Sequence, residues 1–146
     1  MFSEALSLLP DSSAVLAIGK PRGEKSLFAH QFLEEGIRRK ESVIYVVSNT
    51  FPESAMQRFV HDAKGMRNFR VIDCYTLHSG INKIDESMVL RVSGPYALNE
   101  ISILLTRLLR SMRKPFRIVF DSLSTFLLHN KLNIIQEFLE LNIMKL

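Results

Sequence analysis

Ala14-Val15-Leu16-Ala17-Ile18-Gly19-Lys20-Pro21-Arg22-Gly23-Glu24-Lys25-Ser26 is the stretch on which the reading of this chain turns. Its five leading apolar residues read as a strand. Two glycines follow, and then an apolar helical stripe at Phe28, Phe32, Leu33 and Ile37 in which Gly36 is a tolerated flaw. Strand, glycine loop and helix in that order is the setting of a phosphate-binding loop, where backbone amides wrap phosphate oxygens and the helix N-terminus adds partial positive charge. The pattern G-x-x-x-x-G-K-[ST] ends here in Lys25 and Ser26, the residue types that reach the outer phosphates and hold Mg²⁺. Its second glycine is replaced by Glu24. A glutamate brings a β-carbon and a negative charge where glycine allows close backbone approach. Its carboxylate has two possible places: in solvent as an acid of the first helical turn, or turned inward beside Lys25 in the anion site, favoured there by roughly 0.3–1 kcal/mol from the helix dipole.

Working outward, short β-rich runs alternate with longer helical ones, the pattern of an α/β domain with a parallel sheet. Besides residues 14–18, the candidate strands are 42–48, 69–73 and 116–121. The first of these is nearly all apolar and reads as buried on both faces. Asp73 and Asp121 each close a strand at its carboxyl end, where open α/β sheets bind ligands. Helices are expected at 52–63, begun by Pro52 and stopped by Gly65, along Leu98, Ile101, Leu105, Leu108, Leu109 and Met112, and over 132–144. Residues 76–87 read as one long irregular connection. On pattern alone, Gly19 and Gly23 also fit ordinary turn residues and Asp121 a helix cap.

Composition narrows the class. A chain of 146 residues, 47% hydrophobic and 23% charged, suits one folded domain burying about 70% of its unfolded surface. With one cysteine, Cys74, there is no internal disulfide framework, and a cytoplasmic location is expected. Cys74 itself reads as a packing thiol. His30, His61, His78 and His129 lack zinc-ligand spacing. Charged residues interrupt every apolar run, so no membrane span is expected. The net charge is +4, and the basic residues at 38–40 and at Arg107, Arg110, Arg113, Lys114 and Arg117 read as solvated helix ends and faces, which makes nucleic acid an unlikely partner.

The loop, the segments 43–53 and 69–75, and above all Ile-Val-Phe-Asp-Ser-Leu-Ser-Thr-Phe-Leu-Leu at 118–128 resemble the RecA/KaiC-type P-loop ATPases, in particular the archaeal KaiC-like group. The resemblance implies a RecA-like α/β fold, a mostly parallel sheet flanked by helices on both faces. It implies ATP and Mg²⁺ as ligands, with Gly19, Gly23, Glu24, Lys25, Ser26 and Asp121 at the nucleotide and Ser26 and Asp121 at the metal. Lys25 corresponds to the phosphate lysine and Asp121 to the Walker B aspartate. Arg22 and Glu24 stand where the family has glycines, and Gly23 where it has serine. Asn49 and Thr50 stand where the family carries paired glutamates, one of which polarises the attacking water. Neither accepts a proton near neutral pH, so general-base assistance worth about 10²–10⁴ in rate is missing. No catalytic residue is therefore assigned.

By the same resemblance the chain is a single partial domain, 1–146, stopping after the Walker B strand and the following helix. The family's next strand, which lies between the loop strand and the Walker B strand, is not included. The loop strand is then expected to close up against 116–121, with a strand from another chain as the alternative. Functionally the residues point to a degenerate KaiC-like module that binds ATP weakly or is inactive, in a regulatory or signalling role. A ligand-free protein-interaction scaffold, a weakly active ATPase and a single-strand DNA binder are the alternatives. A homo-oligomer or a protein partner is compatible with each.

Overall fold

The computed structural model describes residues 3–10, 12–20, 23–57 and 67–146. In chain order the elements are α1 (Ser3–Ser7), α2 (Glu24–Arg38), β1 (Ser42–Val47), α3 (Pro52–Met56), β2 (Phe69–Asp73), β3 (Val89–Arg91), α4 (Leu98–Ser111), β4 (Phe116–Asp121), α5 (Leu123–His129) and α6 (Leu132–Ile143). The strands form one four-stranded sheet in the order β3-β2-β1-β4, and every neighbouring pair is parallel. β1 is central and all six of its residues are buried, as an unbroken apolar run demands. This is the RecA-like α/β arrangement expected, with helices on both faces.

Alternation of side chains along the strands sorts the core into two layers. On one face Leu33 and Ile37 of α2 and Ala55 and Met56 of α3 pack on Val43, Tyr45, Val47 and Val71. On the other, Ile44, Val46 and Ile72 meet Ile101, Leu105 and Leu108 of α4, Phe126 of α5 and Ile135 and Phe138 of α6. Cys74 is buried in this second layer, as expected of a packing thiol.

Four expectations fail. Residues 14–18 form no strand, and Val15, Leu16 and Ile18 are exposed, Ile18 by 87%. β propensity supplies no hydrogen-bond partner, and this segment has none in the sheet. The sheet accordingly does not close up. It ends at β4, whose six residues are only half-buried. Gly36 is a requirement rather than a flaw: it is buried, and a β-carbon there would lie 2.7 Å from Arg117 Cδ and 2.9 Å from Val43 Cγ2. The glycine lets α2 lie directly on β1 and β4. Arg117, expected among solvated basic residues, lies under that helix. It pairs with Glu41, donates to the Phe32 carbonyl at 3.1 Å and stands 4.6 Å from the Phe32 ring.

β3 and α5 had no periodicity long enough to announce them. Between Pro52 and β2 the helix is described as far as Met56, and the rest of the expected 52–63 helix, with Gly65, falls largely outside the described residues. Residues 76–87 are turns and extended chain, as expected. Arg91 secures them: it donates to the Ile84 carbonyl at 2.6 Å, and its amide donates to Asp85 Oδ1 at 2.7 Å. Its Nε stands 3.2 Å from Asp73 Oδ2, both side chains being buried, though off the line of a hydrogen bond.

Candidate functional site

α2 runs down the sheet from carboxyl to amino ends, because His30 approaches Tyr45 in mid-strand while Gly36 lies over Val43 and Arg117 near the strand starts. Ser26, His30, Leu33 and Ile37 recur at three to four residues and share the face toward the sheet. Ser26 lies four residues, about 6 Å, above His30. Val47 lies two residues, about 6.6 Å, above Tyr45. Ser26 is thereby set at about the level of Val47 and of Asp121, which is in register with it. The helix N-terminus and the end of β4 thus share the carboxyl end of the sheet, as the sequence led one to expect.

At the loop, Gly23 is the N-cap of α2 in extended conformation. Its amide donates to the Lys20 carbonyl and the Ser26 amide to the Gly23 carbonyl, each at 3.2 Å. Two amides that a phosphate cradle would use are therefore spent on the loop's own carbonyls. A β-carbon at Gly23 would stand 3.1 Å from the Lys20 oxygen, so this turn also needs its glycine. Gly19 lies against Lys25, its would-be β-carbon 3.9 Å from Lys25 Cβ and Cδ. Glu24 is exposed as the first helical residue, the solvated placement of its carboxylate, while Lys25 and Ser26 are half-buried. Arg22 lies outside the described residues.

Asp121 is not a helix cap. Its Oδ2 accepts the Tyr45 hydroxyl at 2.7 Å, and His30 Nε2 lies 3.5 Å from the same hydroxyl. Burial, reinforced by the Asp121 charge and hydrogen bond, pushes the Tyr45 phenol well above its ordinary range, so it stays a donor. Ser48 holds the backbone beside the carboxylate: its amide donates to the Asp121 carbonyl at 2.8 Å, and its hydroxyl accepts from the Ser122 amide and donates to the Ser122 carbonyl, each at 3.0 Å. The Asp121–Ser122 peptide is cis. Ser122 is the N-cap of α5, without a side-chain cap bond, and Ser124 is exposed within that helix. Asn49 is exposed and Thr50 half-buried just past β1, at the same end of the sheet.

Tyr45, His30 and Ser48 carry no motif and were not legible as site residues. The one available signal was polarity: Tyr45 interrupts an aliphatic strand, and Ser48 closes it. Asp73, the other strand-end carboxylate, is structural. It is fully buried, accepts the Tyr75 and Thr76 amides at 2.9 and 3.0 Å and the Thr76 hydroxyl, and faces Arg91. Among the described residues no three His, Cys, Asp or Glu side chains converge as metal ligands, and no helix is long and apolar enough to cross a membrane.

This donor set suits an anion with a hydrated hard cation: a helix N-terminus, a lysine, a hydroxyl and an aspartate with one oxygen engaged. Comparison with known proteins agrees on the ancestry. A family model described as "ATPase: KaiC" matches residues 6–145. A UPF0273 protein of Pyrococcus horikoshii is 29% identical over 125 residues, covering 80% of this chain and 49% of the relative. A UPF0273 protein of Pyrococcus furiosus is 28% identical over 123 residues with the same coverage. The chain thus spans about half the length of the curated relatives it matches.

Proposed function

The chain belongs to the KaiC ATPase family, and from that premise we propose that it is a degenerate nucleotide-binding module, part of such a domain, which binds Mg-ATP weakly and works in a regulatory or signalling role in the cytoplasm. One observation carries the reading. α2 begins at the carboxyl end of the sheet, where β4 ends in Asp121, and the residues just past β1 at that same end are the amide Asn49 and the hydroxyl Thr50. This supports a reading in which the binding residues are kept and the general base is not.

In this reading the Lys25 ammonium meets the outer phosphates, the Ser26 hydroxyl and the free Asp121 oxygen hold the Mg²⁺ shell, and the N-terminus of α2 supplies partial positive charge. Mg²⁺ would neutralise phosphate charge. Tyr45 keeps Asp121 oriented by donating to it. With two amides closed on the loop and Glu24 adding a negative charge at its rim, the phosphate contact is shallow.

Phosphate release tests the catalytic half. The wild type should hydrolyse Mg-ATP no faster than Lys25→Ala, and Asn49→Glu should raise the rate if the missing base is the main defect. Brisk wild-type turnover that Lys25→Ala abolishes would instead establish an active ATPase with relocated groups.

A further inference from the structure

His78 and His129 stand far apart in sequence and meet in the fold. Their ring centres are 4.9 Å apart with planes at 84°, and the Tyr96 ring centre lies 5.8 Å from that of His78. Separately anchored segments bring them there. His78 sits in the turn after β2, where Thr76 is tied to the buried Asp73 carboxylate through its amide at 3.0 Å and through its hydroxyl. The same turn is closed by the Ser79 amide on the Tyr75 carbonyl at 2.9 Å and the Gly80 amide on the Leu77 carbonyl at 3.0 Å. His129 ends α5, whose Phe126 is fully buried in the second core layer. Asn130 clamps that helix to the turn after β3, its side-chain amide donating to the Phe126 and Pro95 carbonyls at 3.0 Å each. Gly94 in that turn leaves room for the rings, since a β-carbon there would lie 3.1 Å from His78 Nδ1 and 2.6 Å from Tyr96 Cε1. Among the described residues, no hydrogen bond or ion pair engages either imidazole.

We propose that His78 and His129 form a two-imidazole site for a borderline divalent cation of the Zn²⁺, Ni²⁺ and Cu²⁺ class, which would tie the turn after β2 to the end of α5. The spacing carries the proposal. With metal–nitrogen bonds of about 2.0–2.1 Å, two imidazoles on one tetrahedral cation have ring centres about 5 Å apart, and the pair already stands at that distance. Turning each ring about its Cβ–Cγ bond, a broad torsion for histidine, aims one nitrogen of each at the shared point. Both backbones are held by the bonds around them, so the two donors need no rearrangement of the fold to converge. The ligand type selects the ion: imidazole suits Zn²⁺, Ni²⁺ and Cu²⁺, whereas Mg²⁺ and Ca²⁺ take oxygen ligands. The site is therefore chemically separate from the Mg²⁺ position proposed at Ser26 and Asp121 and does not depend on nucleotide binding. Two protein ligands leave the remaining positions of the ion to water or to an outside donor.

Zn²⁺ alone is the probe. Calorimetric titration of the metal-free chain should give saturable binding of one ion per chain, undiminished by excess Mg²⁺. His78→Ala and His129→Ala should each weaken it by at least the about 10–100-fold that losing an outer-shell partner costs a metal site. The double variant should be little weaker than either single one, because a lone imidazole no longer chelates. Losses that instead add up in the double variant would mean two separate ions and overturn the proposal. Zn²⁺ binding that neither variant changes would overturn it too, as would no binding up to millimolar Zn²⁺. Should a variant fail to fold, proton NMR of the wild type decides: the ring resonances of His78 and His129 should move together through one titration while those of His30 stay in place. Rings that respond at different Zn²⁺ concentrations, or not at all, are the contrary result.

Discussion

Gly36→Ala separates helix propensity from packing, because the two predict opposite signs. In a helix interior alanine is favoured over glycine by about 1 kcal/mol, so propensity alone makes the change stabilising. In place, the new β-carbon would stand 2.7 Å from Arg117 Cδ, 2.9 Å from Val43 Cγ2 and 3.3 Å from Arg117 Nε. Neither neighbour yields easily. Val43 is fully buried, and Arg117 is held by Glu41 and the Phe32 carbonyl at its far end. α2 must lift or Arg117 must leave its pair, an overpacking cost of about 1–3 kcal/mol. Set against propensity, the net is a loss of up to roughly 2 kcal/mol, or a fall in melting temperature of up to about 8 °C for a chain of this size. Urea denaturation followed by circular dichroism at 222 nm reads it directly. In an Arg117→Ala background the penalty should shrink, since two of the three close atoms belong to Arg117, and the coupling in a double-mutant cycle measures that share. A midpoint that rises on Gly36→Ala would refute the close approach of α2 to β1 and β4.

Other perturbations follow from the same geometry. Tyr45→Phe removes the donor to Asp121 and should cost about 1.5–3 kcal/mol in urea unfolding, the range for a hydrogen bond to a charged group; no change would mean that the bond is not made in solution. Ser48→Ala leaves the Ser122 amide without its acceptor and should cost about 1–3 kcal/mol. The Glu35 carboxyl is lowered to about 2 by its hydrogen bond from Arg38, partial desolvation opposing this and Arg39 assisting. Being depressed in the folded state, it stabilises above its unfolded value near 4.5 and loses that contribution as pH falls toward 2. The pair is solvent-screened, so Glu35→Gln should flatten the stability profile between those limits by under about 1 kcal/mol, and an unchanged slope would contradict it. Burial pushes the Cys74 thiol up, so native protein should react with a thiol reagent only as fast as it unfolds.

The central strand, the strands at 69–73 and 116–121 and the long helices were legible because each carries an apolar run or a sustained 3.6-residue stripe, and the strands at 69–73 and 116–121 also close on Asp. β3 was not, since three residues carry no period. Residues 14–18 misled for a physical reason: composition reports what a segment would do beside a partner, and the partner is a property of the whole sheet. Gly36 misled similarly, because a glycine that weakens a helix and one that admits a neighbouring strand look alike in sequence. At the site, Lys25, Ser26 and Asp121 were singled out through their setting, and α2 and β4 do meet the carboxyl end of the sheet. Tyr45, His30 and Ser48 act through positions only the sheet brings together.

The most direct test of retained but weakened nucleotide binding is calorimetric titration of the wild-type chain with Mg-ATP, beside Lys25→Ala. The account predicts saturable binding with a Kd on the order of 0.1–1 mM, lost in the variant. No heat at millimolar nucleotide, with an unmoved melting temperature, would contradict it and leave a scaffold that keeps the fold without the ligand.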